Sequence, residues 1–238
     1  MGARKLSKRP EQLHDTRSVV YDESHWKVLS NLRKKALQIM RFLENYEIQS
    51  FAYGSLARGD VTEASDIDIV IPYPVSSYRL EVCLGKQTYR ELVQATPSMI
   101  LKGHIHLEQN MTVTFPLFKL RSREEEFYKW GGRIGLADIE EQTRVPGVDK
   151  RLILIEPNEQ GHEEKGVIGY ESQVARRLEV SPDIAHERVR VLRRRDSVGR
   201  TGVYLTRPLS EEESFEAVAK SLMDSDPAIR RTAEKRQG

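Results

Sequence analysis

The sequence predicts an α+β fold, a mixed β-sheet flanked by helices, followed by a smaller C-terminal domain. Three observations carry this. Residues Phe51–Tyr53 and Ser65–Ile71 read as two short strands joined by a tight turn. A helical apolar stripe precedes them. Beyond about Val167 the pattern changes to short, arginine-rich helices.

The chain has 238 residues, long enough for one sizeable domain and a small one. Apolar residues make up 38% and mean hydropathy is −0.57, and no run approaches the length of a membrane span. The first fifteen residues are charged with no apolar segment behind them, which argues against a secretory signal. Cys83 is the single cysteine, so no internal disulfide forms and a cytoplasmic location is expected. The net charge of +2 is too near balance to indicate a nucleic-acid partner by itself.

Residues 1–20 read as a basic, flexible arm. The recurrence of Trp26, Leu29, Leu32, Ala36, Ile39, Met40 and Leu43 predicts a helix over Glu23–Asn45 that packs on the sheet. The segment Phe51–Ile71, FAYGSLARGDVTEASDIDIVI, follows. In an extended strand Asp66, Asp68 and Val70 share one face, and Ile67, Ile69 and Ile71 share the core face. Two carboxylates about 6 Å apart at an effective dielectric of about 20 repel by roughly 3 kcal/mol, a cost that a divalent cation between them removes. Hard oxygen ligands suit magnesium or manganese. Gly54 allows a close backbone approach by a bulky anion, and Ser55 offers a hydroxyl and N–H groups to phosphate oxygens.

Tyr53-Gly54-Ser55 followed by Asp66-Ile67-Asp68, with Arg58-Gly59 and Ser65 in the GSxARG…SDID form, resembles the nucleotidyltransferase superfamily of polymerase-β type. The resemblance implies a nucleotidyltransferase core over 21–120 and a nucleoside triphosphate as substrate. It implies phosphates held at Gly54, Ser55 and Arg58, and magnesium (or manganese) held by Asp66 and Asp68. Arg58 is read either as neutralising phosphate or as bonding the turn. Members of the family usually carry a third carboxylate on a neighbouring strand. Here Thr112 and Thr114 stand where it is expected, and Glu108 is the nearest acid, so Glu108 is the candidate third catalytic and metal-binding residue. His104, His106 and Glu108 on one strand face form an alternative zinc set.

Residues 79–95 read as a helix interrupted by Gly85. Met99–Leu107 and Met111–Phe118 read as strands about a turn at Glu108-Gln109-Asn110, and Arg121–Trp130 as a charged helix ended by Gly131-Gly132. Over the connecting segment 121–166 only Leu152–Ile155 reads as a further strand. In 167–207, helices over Glu171–Leu178 and Pro182–Arg195, then a strand over Gly202–Leu205, resemble a winged helix-turn-helix. That resemblance implies nucleic-acid binding through Arg188, Arg190, Arg193, Arg194 and Arg200. In 208–238 a helix over Ser210–Met223 precedes a charged, frayed tail. The expected activity is metal-dependent transfer of a nucleoside monophosphate to an acceptor hydroxyl with release of pyrophosphate. The alternative is a nucleic-acid-binding regulator whose transferase core senses nucleotide.

Overall fold

A computed structural model describes residues 9–108, 110–199 and 202–236. In chain order the elements are β1 (Arg17–Val20), α1 (Glu23–Asn45), β2 (Phe51–Tyr53), α2 (Ser55–Arg58), β3 (Ile67–Val70), α3 (Ser77–Leu84) and β4 (Tyr89–Gln94). Then come β5 (Lys102–Glu108), β6 (Met111–Pro116), α4 (Ser122–Gly131), β7 (Arg133–Ile134), α5 (Leu136–Glu140), β8 (Gly147–Val148), β9 (Ile153–Asn158) and β10 (Gly161–Gly166). The last are α6 (Glu171–Arg177), α7 (Pro182–Val198), β11 (Leu205–Pro208), α8 (Phe215–Ser225) and α9 (Pro227–Glu234). Among the described residues, one mixed sheet has the order β11-β4-β5-β6-β3-β2-β7 and a second has the order β1-β10-β9-β8.

The large sheet is two-sided. On one face Ile67, Ile69, Ile71, Ile105, Val113 and Phe115 are buried against Leu29, Leu32, Ala36, Met40 and Leu43 of α1 and Phe215 of α8. Each such side chain taken out of water contributes about 1.5–3 kcal/mol. Helix α1 starts where the Asp22 carboxylate accepts the His25 N–H at 2.8 Å, and it spans the residues its stripe predicts. On the other face Phe51 and Val70 meet Ile100, Leu120 and Tyr128, so α4 covers that side.

The second sheet and the pair α6–α7 enclose a separate core of Trp130, Leu152, Leu154, Val174, Ala175, Ile184 and Val189. It abuts the first unit where β8 passes α4. A Cβ on Gly147 would lie 2.6 Å from the Gly131 carbonyl carbon and the Gly132 nitrogen, so only glycine permits this approach.

Several sequence expectations are corrected. Residues 79–95 divide at Gly85 into α3 and the strand β4, because Tyr89–Gln94 pairs with β5 and β11. Among the described residues of the expected wing strand Gly202–Leu205, only Leu205 lies in a strand, and that strand does not form a wing hairpin. Instead β11 pairs with β4, Leu205 opposite Gln94 through Pro208 opposite Glu91, and so closes the edge of the large sheet. The connecting segment holds strands and a short helix, and Arg17–Val20 of the expected arm pairs with β10. The tail ends in α9, whose Ile229, Thr232 and Ala233 are buried, and the last long helix starts at Phe215 under a Ser214 cap rather than at Ser210. The expected turn at 108–110 includes Gln109, which lies outside the described residues.

Candidate active site

Antiparallel pairing of β2 with β3 sets Phe51 opposite Val70 and Ala52 opposite Ile69. One step further, this register puts Tyr53 across from Asp68, so the chain leaves β2 at Gly54 beside the carboxylates. Asp66 is exposed just ahead of β3 and Asp68 is half-buried within it. Alternate extended positions put both on the α4 side of the sheet.

Gly54 has φ 82° and ψ −141°, and a Cβ there would meet nothing within 4 Å. The backbone therefore takes a conformation that side chains disfavour, in front of open space. Its N–H donates to the Gly132 carbonyl at 2.9 Å, and its own carbonyl accepts from Ala57 and Arg58. Two buried arginines hold the turn from behind. From α1, Arg33 donates through Nε and Nη2 to the Leu56 carbonyl at 3.1 and 3.0 Å, and through Nη2 to the Ala57 carbonyl at 3.2 Å. Arg58 donates to both carboxylate oxygens of Asp60 and, at 2.6 Å, to the Gly131 carbonyl. Arg58 is buried and its guanidinium is turned into this network, so of its two sequence readings the geometry matches the turn-bonding one.

The tyrosines beside Asp68 stay neutral. Burial raises the Tyr53 phenol above its ordinary range, and the Asp68 charge adds to this. The Tyr128 phenol is raised by burial, then by Glu124 and Asp68. Lys102, whose Nζ donates to the Tyr128 hydroxyl at 2.7 Å, is lowered by burial to about 8.

Parallel pairing of β3 with β6 puts Asp68 beside Thr112 and Val70 beside Thr114, and β5 continues these rows with His106 and His104. Both histidines are engaged with these neighbours. His106 meets Thr112 Oγ1 through Nδ1 at 3.0 Å and Glu91 Oε1 through Nε2 at 3.1 Å, and His104 meets Thr114 Oγ1 at 3.0 Å.

Glu108 is not brought to the pair. A bulge between His106 and Glu108 shifts the register so that Glu108 stands opposite Met111, on the α1 side, where it ion-pairs with Lys35 at 2.9 Å. Strict alternation, which assumes no bulge, placed it on the wrong face. Among the described residues no group of three or more His, Cys, Asp or Glu side chains converges to hold a metal, which removes the zinc set. Asp66 and Asp68 still fit magnesium, because that ion commonly takes one or two carboxylates and completes its shell with water and phosphate oxygens.

Of the arginines on α7, Arg188 is half-buried with its guanidinium carbon 4.9 Å from the Phe127 ring centre, whereas Arg190, Arg193 and Arg194 are exposed. Arg200 lies outside the described residues. The leading turns of α7 are occupied by α4, with Arg123 bonded to Asp183 and Glu187 and Glu126 bonded to Ser181. Sequence reasoning missed Arg33, although a charge inside the α1 apolar stripe signalled it.

A two-sided mixed sheet with a glycine turn facing paired carboxylates on the adjoining strand is the arrangement that the sequence resemblance to nucleotidyltransferases implies. The comparison with known families agrees: residues 33–129, from within α1 into α4, match the family model described as nucleotidyltransferase domain. Over this stretch, less than half of the chain, the protein is similar to nucleotidyltransferase domains. No curated protein and no solved structure matches it. Among the described residues no helix is long and apolar enough to cross a membrane.

Proposed function

We propose that the protein is a metal-dependent nucleotidyltransferase, which moves a nucleoside monophosphate from a nucleoside triphosphate to an acceptor hydroxyl and releases pyrophosphate. The observation that carries this is the β2–β3 pairing, which sets the open turn at Gly54 and Ser55 against Asp66 and Asp68. Gly54 and Ser55 receive the phosphates, while Arg33 and Arg58 keep the turn in shape from behind. Asp66 and Asp68 would hold magnesium or manganese, which when bound would supply neutralisation of the charge that builds up on the phosphates. The acceptor hydroxyl gives up its proton to solvent, and its oxygen bonds to the α-phosphorus as the bond from that phosphorus to the oxygen bridging to the β-phosphate breaks, pyrophosphate leaving with that oxygen. No covalent bond to the protein is required.

Purified protein incubated with each of the four ribonucleoside triphosphates, with and without magnesium and with RNA, protein and small-molecule hydroxyl acceptors, tests this. Magnesium-dependent pyrophosphate release is the expected outcome. Its absence with every triphosphate and acceptor class would count against the reading.

A further inference from the structure

The buried arginines Arg33, Arg58 and Arg236 each donate to a backbone carbonyl or a carboxylate. Arg188 differs. Among the described residues its guanidinium makes no ion pair within 4 Å, and the adjoining Glu187, whose charge favours it, is shared with Arg123 at 3.4 Å. Burial lowers its pKa, and the neighbouring positive charge of Arg195 lowers it further. A partly desolvated cation whose nearest carboxylate is shared is under-compensated, and such sites persist where a ligand supplies further negative charge.

Its surroundings indicate where that ligand lies. The guanidinium rests on Phe127, Phe127 lies 6.2 Å from the Tyr53 ring, and Tyr53 leads directly into Gly54. Helix α7 lies outside the matched stretch 33–129, yet its packing on α4 brings Arg188 to the side of the sheet that carries the carboxylates. The planar fork of an arginine suits a phosphate group.

Resting on the transfer activity proposed above, we propose that Arg188 binds the triphosphate tail of the nucleotide, so that the α6–α7 pair completes a site the nucleotidyltransferase domain does not close alone. An arginine in this place is a substrate-binding group, not the major-groove contact that the sequence suggested.

The test measures dissociation constants by calorimetry in magnesium for ATP, AMP and inorganic tripolyphosphate. The proteins are the wild type, Arg188→Gln, Arg188→Lys and, as a control on the exposed face of the same helix, Arg194→Gln. Arg188→Gln is expected to weaken ATP and tripolyphosphate about tenfold or more while AMP changes little, with partial recovery in Arg188→Lys and none of this in Arg194→Gln. Loss of a prop for Phe127 would weaken AMP and ATP equally, and that result overturns the assignment. So does ATP binding within about twofold of wild type in Arg188→Gln. If wild-type protein binds none of the four ribonucleoside triphosphates and no tripolyphosphate, the transfer reading itself falls, and this assignment with it.

Discussion

Arg58 and Asp60 form a two-pronged ion pair beneath the Gly54 turn, with Nε to Oδ1 at 2.9 Å and Nη2 to Oδ2 at 3.0 Å, and side chains only 6% and 8% exposed. Removing one member leaves the other charge buried, which costs about 3–5 kcal/mol. Arg58→Ala is expected to lower the urea midpoint by an amount in that range. Arg58→Lys recovers little, because an ammonium cannot span both oxygens and the Gly131 carbonyl. Loss of less than about 1 kcal/mol, the value of an exposed pair, would contradict the structural role.

Gly54→Ala introduces no clash, since a Cβ there meets nothing within 4 Å, yet it forces a side chain to φ 82°. Strain of this kind costs about 1–3 kcal/mol. Thermal denaturation should show that loss, and triphosphate affinity should fall with it as the turn relaxes.

Glu108 and Lys35 are both exposed, at 54% and 48%. Glu108→Gln is expected to cost less than about 1 kcal/mol and to leave nucleotide binding and transfer unchanged. A large loss of transfer with unaltered stability would return Glu108 to the catalytic set.

His104 is lowered to about 4, first by burial and then by the charges of Lys102 and His106, with Glu91 facing it across β4. Its unfolded value lies near 6.5. Between these values the unfolded chain binds a proton that the folded chain refuses, so this contribution is complete above about pH 6.5 and is lost as pH falls toward 4. The loss is at most about 3 kcal/mol. Denaturant titrations from pH 7 to 4 should show a shallower decline in His104→Gln than in wild type.

The legible parts of the molecule were those that local chemistry determines. Helix α1 follows from one apolar stripe and the Asp22 cap, and the Gly54 turn and the carboxylate strand follow from a run of 21 residues, Phe51–Ile71. The illegible parts depend on distant pairing. Leu80, Val82, Leu92 and Val93 fit a helical period, but β5 and β11 recruit Tyr89–Gln94 as a strand. The strand after α7 finds its partner more than a hundred residues earlier, in β4, and no local pattern specifies that choice. A bulge at one residue moved Glu108 to the other face. In the same way Arg188 reads as one of a run of arginines until α4 is packed beneath it.

Titration of purified protein with ATP, with and without magnesium, in wild type, Asp66→Asn and Asp68→Asn tests the central claim most directly. The account predicts magnesium-dependent binding in wild type that either substitution abolishes while the protein stays folded. Equal magnesium-dependent binding and pyrophosphate release in all three proteins would contradict it.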